Sequence, residues 1–432
     1  MKLHFDNRTL ERLPVESSGD YLVQRPIPNA CFSQVEPTPI AAPQLVALSS
    51  EALALIGVNS SDVDADDEFL AQMSGNEKID GARYAAHCYC GHQFGNFAGQ
   101  LGDGATMYIG EVMHNEKRVE LQFKGAGKTP FSRTADGRKV LRSSIREFLC
   151  SEAMAGLGVP TTRAGTLVTS FETRVARDKN YDGNNKQEPT AVITRLAETF
   201  LRFGSFEIAK LPDQKTGRAG PSAGNNELVT QLLDFTIDAY YPELVNTEQK
   251  YKNFLSEITK RTARLASQWQ MVGFCHGVLN TDNMSIVGLT LDYGPFGFMD
   301  RFDPDHICNA TDTEGRYKYA NQPLICKWNL MKFAQQIQHA LDFDSMQEIA
   351  EFITQHYDVA YVEAITTGVR RKLGLTKEDD GDMALYEMMM TAMKDTGADF
   401  TATWRALELI ETDDKRNITE TSKTIFLDHV VR

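Results

Sequence analysis

The chain has 432 residues, enough at roughly 150 per domain for two or three domains or one large two-lobed one, and enough to bury a core without staples. Apolar residues make up 42% and charged residues 24%, a globular mix that excludes wholesale disorder. With 45 basic and 59 acidic residues the net charge is −14, which argues against sequence-independent nucleic-acid binding but leaves room for a local basic cluster on a phosphate ligand.

Seven cysteines (31, 88, 90, 150, 275, 308 and 326) are scattered and odd in number, the usage of a reducing compartment rather than a disulfide scaffold. The opening MKLHFDNRTLERLP has no apolar stretch of the signal-peptide kind, and no run of uncharged apolar residues is long enough to span a bilayer. The expectation is a soluble cytoplasmic protein with neither membrane nor nucleic acid as partner.

In chain order, residues 1–80 are rich in proline and read as an extended, loop-heavy extension with one short helix near Glu51–Ile56. Residues 62–68 form an acidic run, read as a solvated face. Glycines crowd at 91, 95, 99, 102 and 104, then come a strand over Thr106–Val112, a turn with His114 and Asn115, and a second strand over Val119–Lys124. Alternation puts Val119, Leu121 and Phe123 on one face of it and Glu120, Gln122 and Lys124 on the other. Asp136 and Gly137 open a helix over roughly 138–157, with an apolar stripe through Leu141, Ile145, Phe148 and Leu149. Strands at 165–170 and 190–196 flank a polar loop, 177–189. The breaker-rich stretch 212–226 is the candidate domain boundary. A helix over 248–272, a polar loop at 275–283, a hairpin at 284–292 and further helices complete the chain. The pattern predicts an α+β fold of two lobes: an extension over 1–80, a sheet-bearing N-lobe over 81–216 and a mainly helical C-lobe over 217–432.

The segment Cys275-His276-Gly277-Val278-Leu279-Asn280-Thr281-Asp282-Asn283, with Asp292-Tyr293-Gly294 after a short hairpin, carries the most chemistry. A hairpin turning at Gly288 returns Asp292 to where Asn283 began, so Asp282, Asn283 and Asp292 converge as hard oxygen donors suited to Mg²⁺ beside a phosphate. That layout, a loop ending in Asn followed by Asp-aromatic-Gly, is the layout of a kinase catalytic loop. Upstream, the turn Gly102-Asp103-Gly104 precedes a strand, where backbone N–H groups can approach phosphates. Lys124 sits on a strand with a helix behind it, the arrangement that pairs a phosphate-binding lysine with a helix glutamate. At 100° per residue Glu152 falls inside the helix's apolar stripe and Glu147 lies off it, aligned with Val140 and Ser144, and helical geometry alone does not choose between them. Arg195 and Arg202 flank Leu196–Leu201 as possible phosphate forks. The cluster His87, Cys88, Cys90, His92 invites a zinc reading, but no second ligand-bearing turn follows it. A kinase needs an Asp two residues after its catalytic-loop His. Val278 stands there, so either the chain is inactive or it transfers something other than the γ-phosphoryl group, and Asp282 is the one carboxylate left in the loop.

The segments GHQFGNFAGQLGDG (91–104), ELQFKGAGKTPFSRTADGRKVLRSSIREFLCSEAM (120–154), HGVLNTDNMSIVGLTLDYGPFGFMD (276–300) and ICNATDTEGRY (307–317) resemble the selenoprotein O family, protein adenylyltransferases of pseudokinase fold. The resemblance implies a protein-kinase-like fold that binds ATP in a flipped orientation and transfers AMP to Ser, Thr or Tyr hydroxyls of proteins, releasing pyrophosphate. By motif, Asp282 is the proton acceptor, and Asn283 and Asp292 hold Mg²⁺ or Mn²⁺. Gly102, Gly104, Lys124, Asp136, Gly137, Glu147, Arg195, Arg202 and Asp292 contact the nucleotide, family spacing favouring Glu147 over Glu152. Two departures accompany the likeness. The family usually has Arg after its Gly-Asp-Gly turn, where this chain has Ala105. Family members also usually run further, to a cysteine or selenocysteine near the end that could pair with a residue such as Cys308, and no cysteine follows Cys326 in this sequence. The alternatives are an atypical γ-phosphoryl kinase and a catalytically inactive ATP-binding scaffold.

Overall fold

The computed structural model describes residues 3–63, 66–178, 182–411 and 418–430. The middle of the acidic run, the tip of the 177–189 loop and the last two residues therefore lie outside the described residues. The strands are β1 (Val15–Glu16), β2 (Phe32–Gln34), β3 (Gln44–Leu48), β4 (Ala85–His87), β5 (Cys90–Gln93), β6 (Asn96–Gln100), β7 (Thr106–His114), β8 (Lys117–Lys124), β9 (Lys139–Val140), β10 (Arg163–Arg177), β11 (Lys186–Ala197), β12 (Phe274–Cys275) and β13 (Gly297–Phe298). The α-helices are α1 (Arg8–Arg12), α2 (Ser50–Ala54), α3 (Asp67–Met73), α4 (Leu141–Gly156), α5 (Asn226–Tyr240), α6 (Lys250–Met271), α7 (Gln322–Ile337), α8 (Met346–Leu373), α9 (Asp382–Thr396), α10 (Phe400–Ala406) and α11 (Glu420–Val430). This is a mixed α+β chain, and no helix among the described residues is long and apolar enough to cross a membrane.

Two compact units emerge. The first comprises Met1–Phe254, Asn280–Tyr293 and Lys332–Asp342, the second Leu255–Leu279, Gly294–Met331 and Phe343–Arg432. The first holds a nine-stranded sheet in the order β1-β2-β4-β7-β8-β11-β10-β3, with β9 paired to β11 beyond the end of β8. Its spine is the β7–β8 hairpin, closed between His114 and Lys117 by the two-residue turn Asn115-Glu116. Both turn residues have positive φ (48° and 62°), the geometry whose twist matches the flanking strands. α4 packs Phe148 onto Ala164 and Leu167 of β10 and Ala191 and Ile193 of β11.

Several expectations need correcting. The extension is not loop-heavy throughout: β1, β2 and β3 are strands of the main sheet, and α1, α2 and α3 are helices. Asp66 of the acidic run is not merely solvated, since its side chain accepts from the N–H groups of Glu68 and Phe69 and caps α3. Residues 212–226 lie inside the first unit, as does α5 beyond them, whose buried face (Leu228, Leu232, Phe235) has core to cover there. The long helix begins at Leu141 because Lys139 and Val140 pair with β11 instead. The hairpin at 284–292 doubles back through a single antiparallel bridge, Met284 to Thr290.

In the second unit, α9 and α10 bring Met393, Phe400 and Trp404 onto Cys275, Met299, Phe302 and Tyr319. The Cys308 thiol donates to the Cys275 carbonyl there (3.3 Å).

The β7–β8 pairing sets two buried carboxylates directly opposite each other, Glu111 and Glu120. Burial, then the charge of Glu111, pushes the Glu120 carboxyl up to about 8, against bonds from Phe200 N–H, Thr199 and Gln122. In the unfolded chain this group ionises near its ordinary 4.5. Between the two values the folded chain holds a proton that the unfolded chain has released, so stability falls as pH rises through that window, by up to about 5 kcal/mol. Glu120→Gln, neutral throughout, is expected to flatten that slope. Thermal midpoints at pH 5 and pH 8 check it, the wild type losing more than the variant.

Candidate active site

The residues gathered here belong to the first unit. On β11, positions 191, 193 and 195 share one face, and opposite them lie Lys139 of β9 and Lys124 and Gln122 of β8. That face looks onto α4. The helix buries Ser144, Glu147, Phe148, Ser151 and Met154, while Ile145 (37% exposed) and Leu149 (61%) point outward. The expected apolar stripe is thus wrong at two of its four positions. The buried face carries polar side chains because charged ones lie beneath it.

Glu147 is the one that meets Lys124, at 2.8 Å. Glu152 is turned the other way, holding Arg163 (2.6 Å), the Ser49 hydroxyl (2.5 Å) and Ala164 N–H (2.9 Å). Arg195 Nη1 donates to Glu147 Oε1 (3.3 Å) and to Asp292 Oδ1 (3.2 Å), its Nη2 donates to Gln122 Oε1 (2.9 Å), and its guanidinium lies over the Phe200 ring. Lys124 also donates to Asp292 Oδ1. Lys124, Glu147, Arg195 and Asp292 therefore form one interlocked set. Burial works against ionisation of Asp292, but Lys124 and Arg195 outweigh it and hold the carboxyl far below the usual carboxylate range.

A second set adjoins it. Arg202 donates from Nη1 to the Asp282 carbonyl (3.1 Å) and from Nε to the Phe200 carbonyl (3.2 Å), lies over the Tyr89 ring, and stands 3.8 Å from the Asp103 carboxylate. Asp282, in the 3₁₀ turn Thr281–Asn283, is 8% exposed. Its Oδ2 accepts from Gln93 (3.4 Å), and its Oδ1 has no hydrogen-bond partner among the described residues. Burial, opposed by Arg202, raises this carboxyl to about 7. Gly91 is needed opposite it, because a Cβ there would run into Oδ1. Asn283 is half-buried in the same turn.

Around Gly102 and Gly104 runs a cleft of about 630 Å³, also lined by Ala105, Phe131, Gly137, Lys139, Arg133, Arg138 and Arg177. The turn does not offer the free amides expected of it: the N–H groups of Gly102, Asp103 and Gly104 donate to the carbonyls of Tyr89, His87 and Gly102. Its glycines serve close approach instead, since a side chain at 102 or 104 would collide with Phe131. Asp136 anchors the cleft wall through two bonds from Arg177 (2.7 and 2.8 Å). Gly137 follows it in the wall.

The residues of the zinc reading go elsewhere. His87 stacks on Phe32 (4.7 Å), His92 meets Glu207 (2.8 Å), and Cys88 and Cys90 are buried. Sequence reasoning missed Asp103, Gln122, Gln93 and Lys139. Alternation already puts Gln122 on the Lys124 face of β8, whereas Lys139 is singled out by the register of β9 on β11.

The sequence profile described as "Protein adenylyltransferase SelO" matches residues 25–431. The chain is 55% identical over 420 residues to "Protein adenylyltransferase SelO, mitochondrial" of Homo sapiens, covering 94% of this chain and 62% of that protein. It is 44% identical over 413 residues to "Protein nucleotidyltransferase YdiU" of Azoarcus sp. (strain BH72), covering 95% of this chain and 76% of that one. The chain thus spans less than two-thirds of the length of the human relative. A solved structure, "WaaP in complex with acyl carrier protein", aligns at a TM-score of 0.20 and 10% identity over 60% of this chain and 84% of that chain, too weak a likeness to bear on the fold.

Proposed function

The chain belongs to the SelO family of protein adenylyltransferases, and from that premise we propose that it moves AMP from ATP to Ser, Thr or Tyr hydroxyls of other proteins. The observation that carries the reading is the interlocked Lys124–Glu147–Arg195–Asp292 set beside a basic cleft, with the buried Asp282 carboxyl next to it. On this reading the set is a protein-kinase-like nucleotide site that takes ATP flipped, with the α-phosphate toward the acceptor. Val278, where a kinase has its base, supports this reading.

Asp282 takes the acceptor hydroxyl's proton as the oxygen attacks the α-phosphorus. The new O–P bond forms, the bond from the α-phosphorus to the bridging oxygen breaks, and pyrophosphate leaves. Lys124, Arg195 and Arg202 are positioned in advance against the charge on the phosphates, so little reorganisation accompanies the step. Asn283 and Asp292 would hold Mg²⁺ or Mn²⁺. Asp292 gives Oδ1 to the two cations, and its side chain, 34% exposed, leaves Oδ2 for an ion. Two hard oxygen donors suit Mg²⁺, which keeps waters and takes phosphate oxygens as its remaining ligands. When bound, the ion adds charge neutralisation at the phosphates. The seven free thiols support a reducing, cytoplasmic setting.

The test incubates the purified chain with α-labelled and γ-labelled ATP in parallel, with Mg²⁺ or Mn²⁺ and candidate acceptor proteins. Label on protein from the α-phosphate alone supports the reading. Label from γ alone would make the chain a kinase, and none despite ATP binding would leave a scaffold. A further prediction separates the two helix glutamates. Glu147→Gln should cut kcat/KM about 10²-fold by loosening Lys124 and Arg195. Glu152→Gln should leave kcat and KM for ATP near wild type and lower only the melting temperature.

A further inference from the structure

We infer that Lys139 is a second phosphate-binding lysine of this site, holding the part of the triphosphate that leaves as pyrophosphate. The inference rests on the ATP reading above. Lys139 lies opposite Ala191 as Lys124 lies opposite Ile193, so both lysines project from the same face, about 7 Å apart along β11. A Cβ at Gly125, the residue after Lys124, would come within 3.1 Å of the Lys139 Cβ, so β9 runs close against the end of β8.

Lys139 also lines the cleft of the Gly102–Gly104 turn, so it joins the cleft to the Lys124 set. Of the other cations of the cleft wall, Arg142 is committed to Glu188, Arg177 to Asp136 and Arg138 to the carbonyls of Gly125, Thr38 and Pro39, while Arg133 is exposed to solvent. Among the described residues Lys139 makes no ion pair, although it is half-buried. Lys124, Arg195 and Lys139 against Glu147 and Asp292 leave one positive charge uncompensated. Burial and the charge of Lys124 lower its pKa, a cost that an anion would relieve.

Lys139 is in register beside Lys124, which bonds Asp292, whereas Asp282 is held by Gln93 and, through its carbonyl, by Arg202. The lysine therefore adjoins the Lys124–Asp292 set rather than the set around the base. Ala105, on the turn across the same cleft, contributes no cation, so Lys139 carries charge that the turn does not.

The experiment measures dissociation constants of the full chain for ATP, pyrophosphate and AMP by calorimetry, with Mg²⁺ present. Lys139→Ala should weaken ATP and pyrophosphate about tenfold or more and AMP by less than about twofold, as loss of one charge-assisted contact predicts. Lys139→Arg should bind all three like wild type. In the Lys139→Ala background, Ala105→Arg should recover most of the loss, which a merely structural role for Lys139 would not allow. Unchanged ATP and pyrophosphate affinity in Lys139→Ala, or a loss that Arg at neither position repairs, overturns the proposal. Lys139-dependent ATP binding without α-label transfer would leave the proposal standing and remove the adenylyltransferase reading. A wild-type chain that binds no ATP would remove both.

Discussion

Asp282→Asn is expected to lower the rate of adenylyl transfer by about 10²–10⁴-fold, the range a positioned general base contributes, while ATP affinity stays within about threefold of wild type. The asparagine keeps the shape that packs against Gly91, and its amide oxygen can still accept from Gln93. It cannot take a proton from a hydroxyl. Affinity is spared because the groups proposed to hold the phosphates, Lys124 and Arg195, are tied to Glu147 and Asp292, and Arg202 binds residue 282 through its backbone carbonyl rather than its side chain. Single-turnover kinetics with α-labelled ATP, alongside calorimetric ATP binding, measure the two quantities separately. A loss of less than tenfold in rate would remove Asp282 from the role of base, and a large loss of affinity would recast it as a binding residue.

What could be read in the sequence follows the physics of each signal. The strand ending at Lys124 was legible because a β-strand alternates with period two, and the order of turn, strand lysine, helix and Asn-ending loop survives as order along the chain. Which glutamate reaches Lys124 was not legible from helical spacing. An apolar stripe marks the buried face only where the neighbour is apolar, and α4 lies partly over a charged sheet face, so Ile145 and Leu149 point outward and Glu147 inward. Lys139 was invisible for a related reason. It precedes a helix in sequence and was absorbed into that helix, yet the sheet claims it through β9, and only the shared register on β11 puts it beside Lys124. The Gly102–Gly104 turn shows the opposite error. Its glycines pointed to free amides, but such turns close on themselves as readily as on a ligand, and here the N–H groups are already bonded. The strands of the extension were hidden by proline, whose fixed φ and missing N–H lower strand expectation even where short edge strands such as β1 and β3 tolerate it nearby.

Asp292 should prove the least replaceable side chain of the set. It is the point where Lys124 and Arg195 meet outside the helix, and it is the proposed metal ligand whose second oxygen remains available. Asp292→Ala is expected to reduce transfer by about 10³-fold or more, because the ion's anchor and the order of both cations go together. The neutral isostere separates these contributions. Asp292→Asn keeps an oxygen that Lys124 and Arg195 can use, so the cluster retains its geometry, but it removes the negative charge that attracts a divalent ion. Transfer by Asp292→Asn should therefore recover partly when Mg²⁺ or Mn²⁺ is raised, whereas Asp292→Ala should not respond. The thermal midpoint orders the variants independently of activity. Asp292→Ala leaves Lys124 and Arg195 facing each other with Glu147 as their remaining carboxylate, and breaking a buried ion cluster from one side is ordinarily destabilising. It should melt below wild type, with Asp292→Asn between them. Equal loss of transfer in both variants at every metal concentration would assign Asp292 to holding Lys124 and Arg195 and would take the metal away from it.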